Sequence, residues 1–234
     1  MNHDTTASQG LTSSSVKIWD IPTRIFHWLL AFSFTAAYVT SESERYRDWH
    51  VMFGYTVAAL IVFRLFWGIA GTRYARFSSF LFSPSRVLEY LQSLLTRSPK
   101  HYLGHNPAGA VAIFLLLGLG ALTAISGFAT YQEIGGEWLE ELHEGAAATM
   151  LAVVAVHVLG VIMSSLLHRE NLVRSMFSGD KSGPADQAIR KTRPLVGIIL
   201  LVAVLGFWSA DRFGWLPVSS GVAVTQQHDR HEHD

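Results

Sequence analysis

The sequence contains five long apolar stretches, and they constrain its fold more than any other feature. An α-helix needs about 20 mostly apolar residues to cross the hydrocarbon core of a bilayer. Four stretches have or approach that length, and the fifth is shorter but carries no charged residue. The five stretches cover residues 22–40, 49–70, 107–130, 143–167 and 195–210. The sequence therefore predicts an all-α integral membrane protein, with a four-helix bundle and a fifth transmembrane helix.

Composition supports a membrane location and excludes several classes of protein. Only 15% of the residues are charged, against about 25% in a typical soluble domain. The 18 basic residues balance 18 acidic ones, which leaves no basic surface for nucleic acid. Cysteine is absent, so disulfides, thiolate metal sites and covalently attached c-type haem are excluded. A metal ion would need other ligands, such as the 11 histidines.

Polar segments divide the chain around the spans. The first residues are polar and a span of full length follows, which predicts a disordered tail rather than a cleaved signal peptide. His228, His231 and His233 near the C-terminus could bind a divalent metal weakly, although such clusters are more often only polar tails. The sequence predicts an N-terminal tail (residues 1–15), a membrane domain (16–178), a linker (179–193), the fifth helix (194–211) and a His-rich C-terminal tail (212–234).

The connection between the second and third spans predicts a helix of its own. It begins at Ser83-Pro84 and is flanked by Arg86 and Arg97. This pattern is typical of a helix that lies in the membrane interface. Asn106 and Pro107 then mark the start of the third span, as an N-cap and a first-turn proline. The apolar face of the connecting helix consists of Val87, Leu88, Leu91, Leu94 and Leu95.

Basic residues in the connections predict the orientation, because they are retained on the cytoplasmic side of a membrane. The connections after spans two and four are rich in Lys and Arg, whereas residues 131–142 contain four glutamates and no basic residue. The N-terminus is therefore expected in the cytoplasm and the C-terminal tail outside. The protein is predicted to be a multi-pass membrane protein.

Four histidines lie in the spans or at their ends, where ionisable side chains are costly and suggest a function. His27 lies in span one, His50 opens span two, and His143 and His157 share one face of span four. The last two are 14 residues apart, or roughly 21 Å of helix rise, so they occupy opposite leaflets. His50 is expected at the level of His143, and His27 at the level of His157.

Two pairs of histidines at two depths suit two non-covalently held haems b, each with two axial imidazoles. Small residues nearby, such as Gly54 and Gly160, leave room for a flat macrocycle. Taken singly, His50 and His143 could be ordinary residues of the membrane boundary. His157 is harder to explain in that way, because a buried imidazole needs a partner.

Two arginines and one further histidine are expected near the inner haem. Arg64 follows His50 by 14 residues, so it lies about 21 Å further in on the same face. Arg24 is one turn before His27. Either guanidinium could bind a haem propionate, or could extend to the cytoplasmic headgroups instead. His105, at the mouth of span three, could contact a propionate, donate to a quinone or be a plain loop residue.

Several motifs resemble the bacterial cytochrome b561 family, whose relatives include the di-haem cytochrome b subunit of nickel–iron hydrogenases. They are KIWDIPTRIFHW, DWHVMFGY, FRLFWGIAGTRYARFSSF and YLGHNPAGA, together with the two histidines of span four. The resemblance covers about residues 16–178 and implies a four-helix bundle that holds two haems b. Arg64 and His105 also fall on motif positions. The implied axial ligands of the haem irons are His27, His50, His143 and His157.

The leading functional hypothesis is a transmembrane cytochrome that passes electrons between a redox partner and the quinone pool. The partner could be a cytochrome c, a hydrogenase or a dehydrogenase, and membrane lipid surrounds the spans. A second hypothesis is a quinone-linked oxidoreductase that acts on a small reductant. A third is a metal-ion or proton transporter that uses the same histidines. The transporter is disfavoured because the central parts of the spans lack Asp and Glu and the chain lacks an internal repeat.

Overall fold

The computed structural model describes residues 14–94, 96 and 100–215. This part of the chain forms seven α-helices and one two-stranded ribbon. The helices are α1 (Ile21–Thr40), α2 (Arg47–Ala70), α3 (Pro84–Leu94), α4 (Pro107–Tyr131), α5 (Glu137–His168), α6 (Leu172–Ser178) and α7 (Pro194–Arg212). The strands are β1 (Ser14–Lys17) and β2 (Asp180–Gly183). The five long helices correspond to the five predicted spans, which confirms the all-α bundle.

Four of the long helices combine the length and the mean hydropathy needed to cross a membrane. These are α2 with the turn before it, α4, α5 and α7. Helix α1 is 20 residues long but is not in this group, since its first two turns carry Arg24 and His27. It packs against both α2 and α7. Two helices of this group are thus its neighbours.

Capping side chains fix where the first and third spans begin. The Asp20 carboxylate accepts a hydrogen bond of 2.8 Å from the backbone N–H of Thr23 at the start of α1. The Asn106 side chain accepts one of 2.7 Å from the backbone N–H of Gly109 at the start of α4. Pro107 occupies the first turn of α4, where its missing N–H costs nothing. The predicted start of the third span is thus confirmed.

The long helices pack as two groups. Helices α1, α2 and α7 contact one another, whereas α5 packs against α4, which in turn contacts α2. Helix α7 is a full member of the first group. At Gly197 it approaches α1 so closely that an added Cβ would lie 2.6 Å from Ile21. Near its other end, Trp208 Nε1 donates a hydrogen bond of 2.9 Å to Thr56 Oγ1.

A small cap covers one end of the bundle. Within it β1 pairs antiparallel with β2, so that Ser14 lies opposite Gly183. A separate apolar cluster around Ile18, Trp19 and Tyr74 holds the cap together. We call this end of the bundle the cap end and the opposite end the far end. The cap comprises residues 14–20, 71–76, 100–106 and 179–193.

Two predicted segments differ from the structure at the cap. The disordered tail expected over residues 1–15 overlaps β1, which begins at Ser14; the residues before it lie outside the described part. The linker expected over residues 179–193 contains β2, and the Gly179 carbonyl accepts a backbone hydrogen bond of 2.8 Å from Ile18. Short polar strands lack the apolar alternation by which strands are recognised in a sequence, so the ribbon was not expected.

The predicted interfacial helix is present as α3, and it starts at Pro84 as expected. Its Leu88 and Leu91 side chains are exposed, whereas Tyr90 is buried and its ring lies 5.6 Å from that of Tyr102 in the cap. The helix thus rests on the cap through one side and presents leucines outward. Such an amphipathic helix at a bundle end suits the membrane interface.

Candidate functional site

His50 and His143 face each other at the far end of the bundle. Their ring centroids are 6.0 Å apart and their planes meet at 87°. His50 lies in the first turn of α2 and His143 in the second turn of α5, so the pair spans the two groups of helices. The structure therefore brings the two predicted outer histidines together.

Each of these rings is oriented by a hydrogen bond to a backbone carbonyl of the preceding long helix. Nδ1 of His50 donates to the Ala37 oxygen at 2.8 Å, and Nδ1 of His143 donates to the Thr123 oxygen at 2.9 Å. Because a carbonyl oxygen can only accept, the proton is on Nδ1 and the Nε2 lone pair is left for another partner. Metal-binding histidines have this arrangement, which fixes the tautomer and the ring orientation.

The space between the two rings fits one metal ion. Two metal–imidazole bonds of roughly 2 Å each, plus the distance from each nitrogen to its ring centre, give a separation of about 6 Å. Gly127 makes room for the His143 ring, since an added Cβ would lie 2.6 Å from its Cε1 atom. At Gly54, one turn after His50, an added Cβ would meet nothing within 4 Å. Two opposed imidazoles beside such open space fit the iron and macrocycle of a haem b.

His27 and His157 form the second predicted pair, nearer the cap end. They lie on α1 and α5, which have no extensive packing contact within the described residues, yet the two side chains interact electrostatically. The buried Nδ1 of His27 has no hydrogen-bond partner in this part of the chain. An added Cβ at Gly160, nearly one turn after His157, would meet nothing within 4 Å. An unpaired imidazole nitrogen and a gap between two helices fit a group bound between them.

Arg64 is a buried cation near the cap end of α2. It is 3% exposed, and its Cζ atom lies 4.7 Å from the ring centroid of Phe77 and 5.9 Å from that of Phe80. Its Nη1 atom is buried and has no hydrogen-bond partner among the described residues. Asp20 is close enough to interact with it electrostatically. A side chain enclosed in this way does not extend to the headgroups, and its unpaired nitrogen suits an anionic ligand.

Arg24 contacts the end of α6 rather than the gap between α1 and α5. Its guanidinium donates to the Phe177 carbonyl and, at 3.4 Å, to the Met176 carbonyl. Arginines commonly stabilise the last carbonyls of a helix in this way. The structure thus gives Arg24 a local partner, and its predicted contact with a propionate stays a prediction.

His105 is enclosed between two aromatic rings of the cap end. Its ring centroid lies 4.6 Å from that of Trp19 and 4.4 Å from that of Phe80. Burial, reinforced by the nearby charges of Arg64 and Lys181, lowers the pKa of His105 to about 3. The ring is therefore neutral at physiological pH. Its buried Nδ1 has no partner among the described residues, which suits a propionate or quinone contact better than a plain loop position.

Asp20 is a site residue that the sequence interpretation did not single out. Besides capping α1, its carboxylate accepts hydrogen bonds of 3.0 Å from Trp67 Nε1 and 2.7 Å from Thr72 Oγ1. These bonds tie the start of α1 to the end of α2 and thereby set the positions of His27 and Arg64. The capping rule alone could have found the first of these bonds, because Asp is a strong N-cap before a helix.

The remaining histidines do not form a further metal centre in the part of the chain that the structure describes. No group of three or more His, Asp or Glu there could hold a metal ion. His228, His231 and His233 of the predicted tail lie outside the described residues. The two histidine pairs are therefore the candidate site.

Comparison with known families identifies the same region. A family model described as prokaryotic cytochrome b561 matches residues 18–179. This range contains both histidine pairs as well as Arg64, His105 and Asp20. It ends just before β2, so the second strand of the cap and α7 lie beyond the matched region.

Curated relatives are similar to this chain over most of their own length. A protein from Rhizobium leguminosarum bv. viciae is 26% identical, over 76% of this chain and 93% of the relative. One from Rhodobacter capsulatus is 23% identical, over 74% and 84% respectively, and one from Azotobacter vinelandii is 26% identical, over 71% and 88%. All three are named probable Ni/Fe-hydrogenase B-type cytochrome subunits. No solved structure matches the chain significantly.

Proposed function

Since the chain belongs to the prokaryotic cytochrome b561 family of transmembrane haem b electron-transfer proteins, we propose that it holds two haems b. One lies at each end of the bundle, and together they carry electrons between a redox partner and the quinone pool. A bound haem supplies a one-electron couple between ferric and ferrous iron. The protein supplies the ligands, the spacing and the surrounding dielectric.

The far-end haem is held by His50 and His143. The observation that carries this proposal is the pair of Nδ1 hydrogen bonds to the Ala37 and Thr123 carbonyls, with the rings 6.0 Å apart. Both Nε2 atoms are thereby left unprotonated and available as ligands. Because both rings are held by backbone groups, ligand orientation needs little rearrangement when the haem binds.

The cap-end haem is held by His27 and His157, with Arg64 as the partner of a propionate. His27 contributes a buried nitrogen without a protein partner, and Arg64 contributes a buried guanidinium with the same property. His143 and His157 differ by roughly 21 Å along α5, so the two haems divide the membrane thickness between them. Haems held by these residues would let electrons cross the bundle from one level to the other.

The cap faces the cytoplasm of a bacterial inner membrane in this proposal. The two connections richest in Lys and Arg lie at the cap end, and the acidic connection between α4 and α5 lies at the far end. Such a distribution supports a cytoplasmic location of the cap end. The N-terminus is then cytoplasmic, and the far-end haem lies near the outer surface.

The redox partner is a hydrogenase or a protein of similar role, such as a cytochrome c or another dehydrogenase. The similar proteins from three bacteria that are named hydrogenase B-type cytochrome subunits support the first choice. A partner outside the membrane would exchange electrons with the far-end haem. Quinone, which is dissolved in the bilayer, would exchange electrons with the cap-end haem.

A haem count on the purified protein tests the proposal. We expect a visible spectrum with a reduced b-type α-band and a pyridine haemochrome assay that gives two haems b per chain. A metal-ion or proton transporter would show no such band. One haem per chain in a fully loaded, folded protein would contradict the assignment of the two histidine pairs, and none would overturn the function itself.

A further inference from the structure

A polar cluster lies at the cap end beside the bundle, and no part of the proposed electron path uses it. Its central members are Lys181 on β2 and Glu170 just after α5. The Lys181 side chain is only 5% exposed and that of Glu170 only 15%. Buried charges of this kind carry a desolvation cost and need a reason. The remaining titratable members are His101, His168, Tyr90 and Tyr102.

Contacts join three of these groups into a continuous row. The Lys181 Nζ atom lies 3.4 Å from Glu170 Oε2, and His101 Nε2 lies 3.4 Å from the same oxygen. Lys181 also donates to the Tyr102 carbonyl at 3.1 Å. The second Glu170 oxygen accepts a hydrogen bond of 3.2 Å from the backbone N–H of Ser182. One carboxylate therefore bridges an imidazole and an ammonium group.

Exposure falls steadily along this row. The His101 side chain is 46% exposed, Glu170 is 15% exposed and Lys181 is 5% exposed. The His168 ring lies 5.2 Å from that of His101 and thus belongs to the solvent end. The row therefore begins at an aqueous surface and ends inside the protein.

A small cavity joins the row to the start of α4. It has a volume of about 20 Å³ and is lined by His101, His168, Glu170, Lys181 and Asn106 among others, and it is large enough for one water molecule. Asn106 is the neighbour of His105, whose ring interacts electrostatically with Lys181, Arg64 and His157. The inner end of the row thus lies beside the residues that surround the proposed cap-end haem.

The chemistry of the two central groups suits proton exchange. Burial lowers the pKa of Lys181, against the opposing effect of Glu170. Burial alone would raise the pKa of Glu170, but Lys181, the Ser182 N–H and His101 together lower it. The Glu170 carboxylate thus stays ionised at rest and Lys181 loses its proton more readily than usual, so the carboxylate can relay a proton transiently between the imidazole of His101 and the amine of Lys181.

We propose that His101, Glu170 and Lys181 form a proton-transfer path between the water at the cap and a quinone bound near His105. This inference rests on the proposed function. Reduction of one quinone to quinol consumes two electrons, which arrive singly through the haem, and two protons, which this path supplies from the cap side. Oxidation of quinol returns the same two electrons and two protons along the same routes.

The alternative role for the cluster is to fasten β2 to the end of α5 as an ordinary ion pair. A fastening role predicts that substitutions lower stability and haem content. A proton path predicts that they slow the reaction with quinone while haem content and midpoint potentials stay unchanged. The two roles therefore differ in what a substitution changes.

The test measures oxidation of the pre-reduced, haem-loaded protein in liposomes by short-chain ubiquinone and menaquinone analogues, using stopped-flow absorbance. Glu170→Gln keeps the size of the side chain but cannot carry a proton. We expect oxidation to slow by about tenfold or more, as for loss of a positioned proton carrier, and a larger solvent deuterium isotope effect. Glu170→Asp should recover part of the rate. Glu89→Gln is the matched control, because Glu89 pairs with Lys100 at 3.2 Å on an exposed surface at the same end.

The possible failures are distinguishable. If wild-type protein is not oxidised by either quinone, the quinone part of the proposed function is wrong, and the proton path is overturned as well. If wild type reacts and Glu170→Gln reacts equally fast, the path alone is overturned. Should Glu170→Gln lose haem, the partly exposed His101→Gln provides the second variant. A normal oxidation rate in that variant would also overturn the path.

Discussion

Arg64 is the residue whose charge the inner haem should sense most directly. Its guanidinium is buried, so it should stabilise ferrous haem relative to ferric haem, which has one more positive charge. Arg64→Leu should lower the midpoint of the cap-end haem by roughly 50 mV, the effect of about 1 kcal/mol on a one-electron couple. A potentiometric titration should show a much smaller shift for the far-end haem.

Arg24→Leu is the matched control for that titration. Its guanidinium binds the carbonyls at the end of α6, so its removal should leave both midpoints nearly unchanged. An equal shift of the cap-end midpoint in the two variants would show that Arg24 also contacts that haem, as the sequence alone suggested. Wild-type midpoints in Arg64→Leu with full haem occupancy would remove Arg64 from the site.

His157 offers a test of how the four ligands are paired. His157→Ala should lose the cap-end haem and keep the far-end haem, because His50 and His143 remain opposed at 6.0 Å. Haem content should fall from two per chain to one, and an electron paramagnetic resonance spectrum should retain one bis-imidazole signal. His168→Ala on the same helix should keep both haems. Loss of both haems from a folded His157→Ala protein would require a different pairing.

The depths of the four proposed ligands could be predicted from the sequence because they depend on helix geometry. A fixed rise per residue places His143 and His157 at two depths, and the structure shows His50 at the level of the first. The proton path could not be predicted, since Lys181 and Glu170 look like solvated residues of a basic connection. Their burial depends on the pairing of β2 with a strand more than 160 residues earlier.

At the level of elements, the contact between the start of α1 and the end of α2 depends on the Asp20 carboxylate. Asp20→Ala removes the N-cap of α1, which is worth about 1 kcal/mol, and two side-chain hydrogen bonds to a charged group, worth roughly 1.5–3 kcal/mol each before compensation. We expect the protein to lose about 3 kcal/mol of stability and part of its cap-end haem. Thermal loss of the haem absorbance band should show a lower midpoint than in wild type.

Asp48→Ala is a suitable control for this junction. Asp48 is also acidic and in the first turn of a helix, but it is exposed and lies at the far end. Its replacement should change the thermal midpoint little. Equal effects of the two substitutions would show that Asp20 contributes only through the charge of a helix N-terminus.

The elements themselves were predictable to different degrees. The starts of α3 and α4 could be read from Pro84 and from Asn106 with Pro107, because capping and first-turn proline are local signals. The cap could not, since β1 and β2 are four residues each and pair across more than 160 residues. Such pairing depends on how the five long helices bring the two segments together, which no local pattern encodes.

The whole molecule is asymmetric in what holds it together. Helices α1, α2 and α7 are joined by direct packing and by bonds such as Trp208 to Thr56. Among the described residues, α5 packs mainly against α4 and α6, although two of the four proposed ligands lie on it. In the proposed holoprotein the haems therefore connect α5 to the first group of helices, and their binding energy contributes to the stability of that arrangement.

Depletion of haem should accordingly loosen one side of the bundle and not the other. We expect hydrogen–deuterium exchange of haem-free protein in nanodiscs to be faster around His143 and His157, by about tenfold or more relative to the haem-loaded form. Exchange around Thr56 in α2 should change little, because the packing of α1, α2 and α7 does not require haem. This comparison uses one half of the molecule as the control for the other. If exchange accelerates equally in both halves, haem is needed for the whole bundle to fold. If exchange around His143 and His157 is the same with and without haem, α5 is held by protein contacts alone.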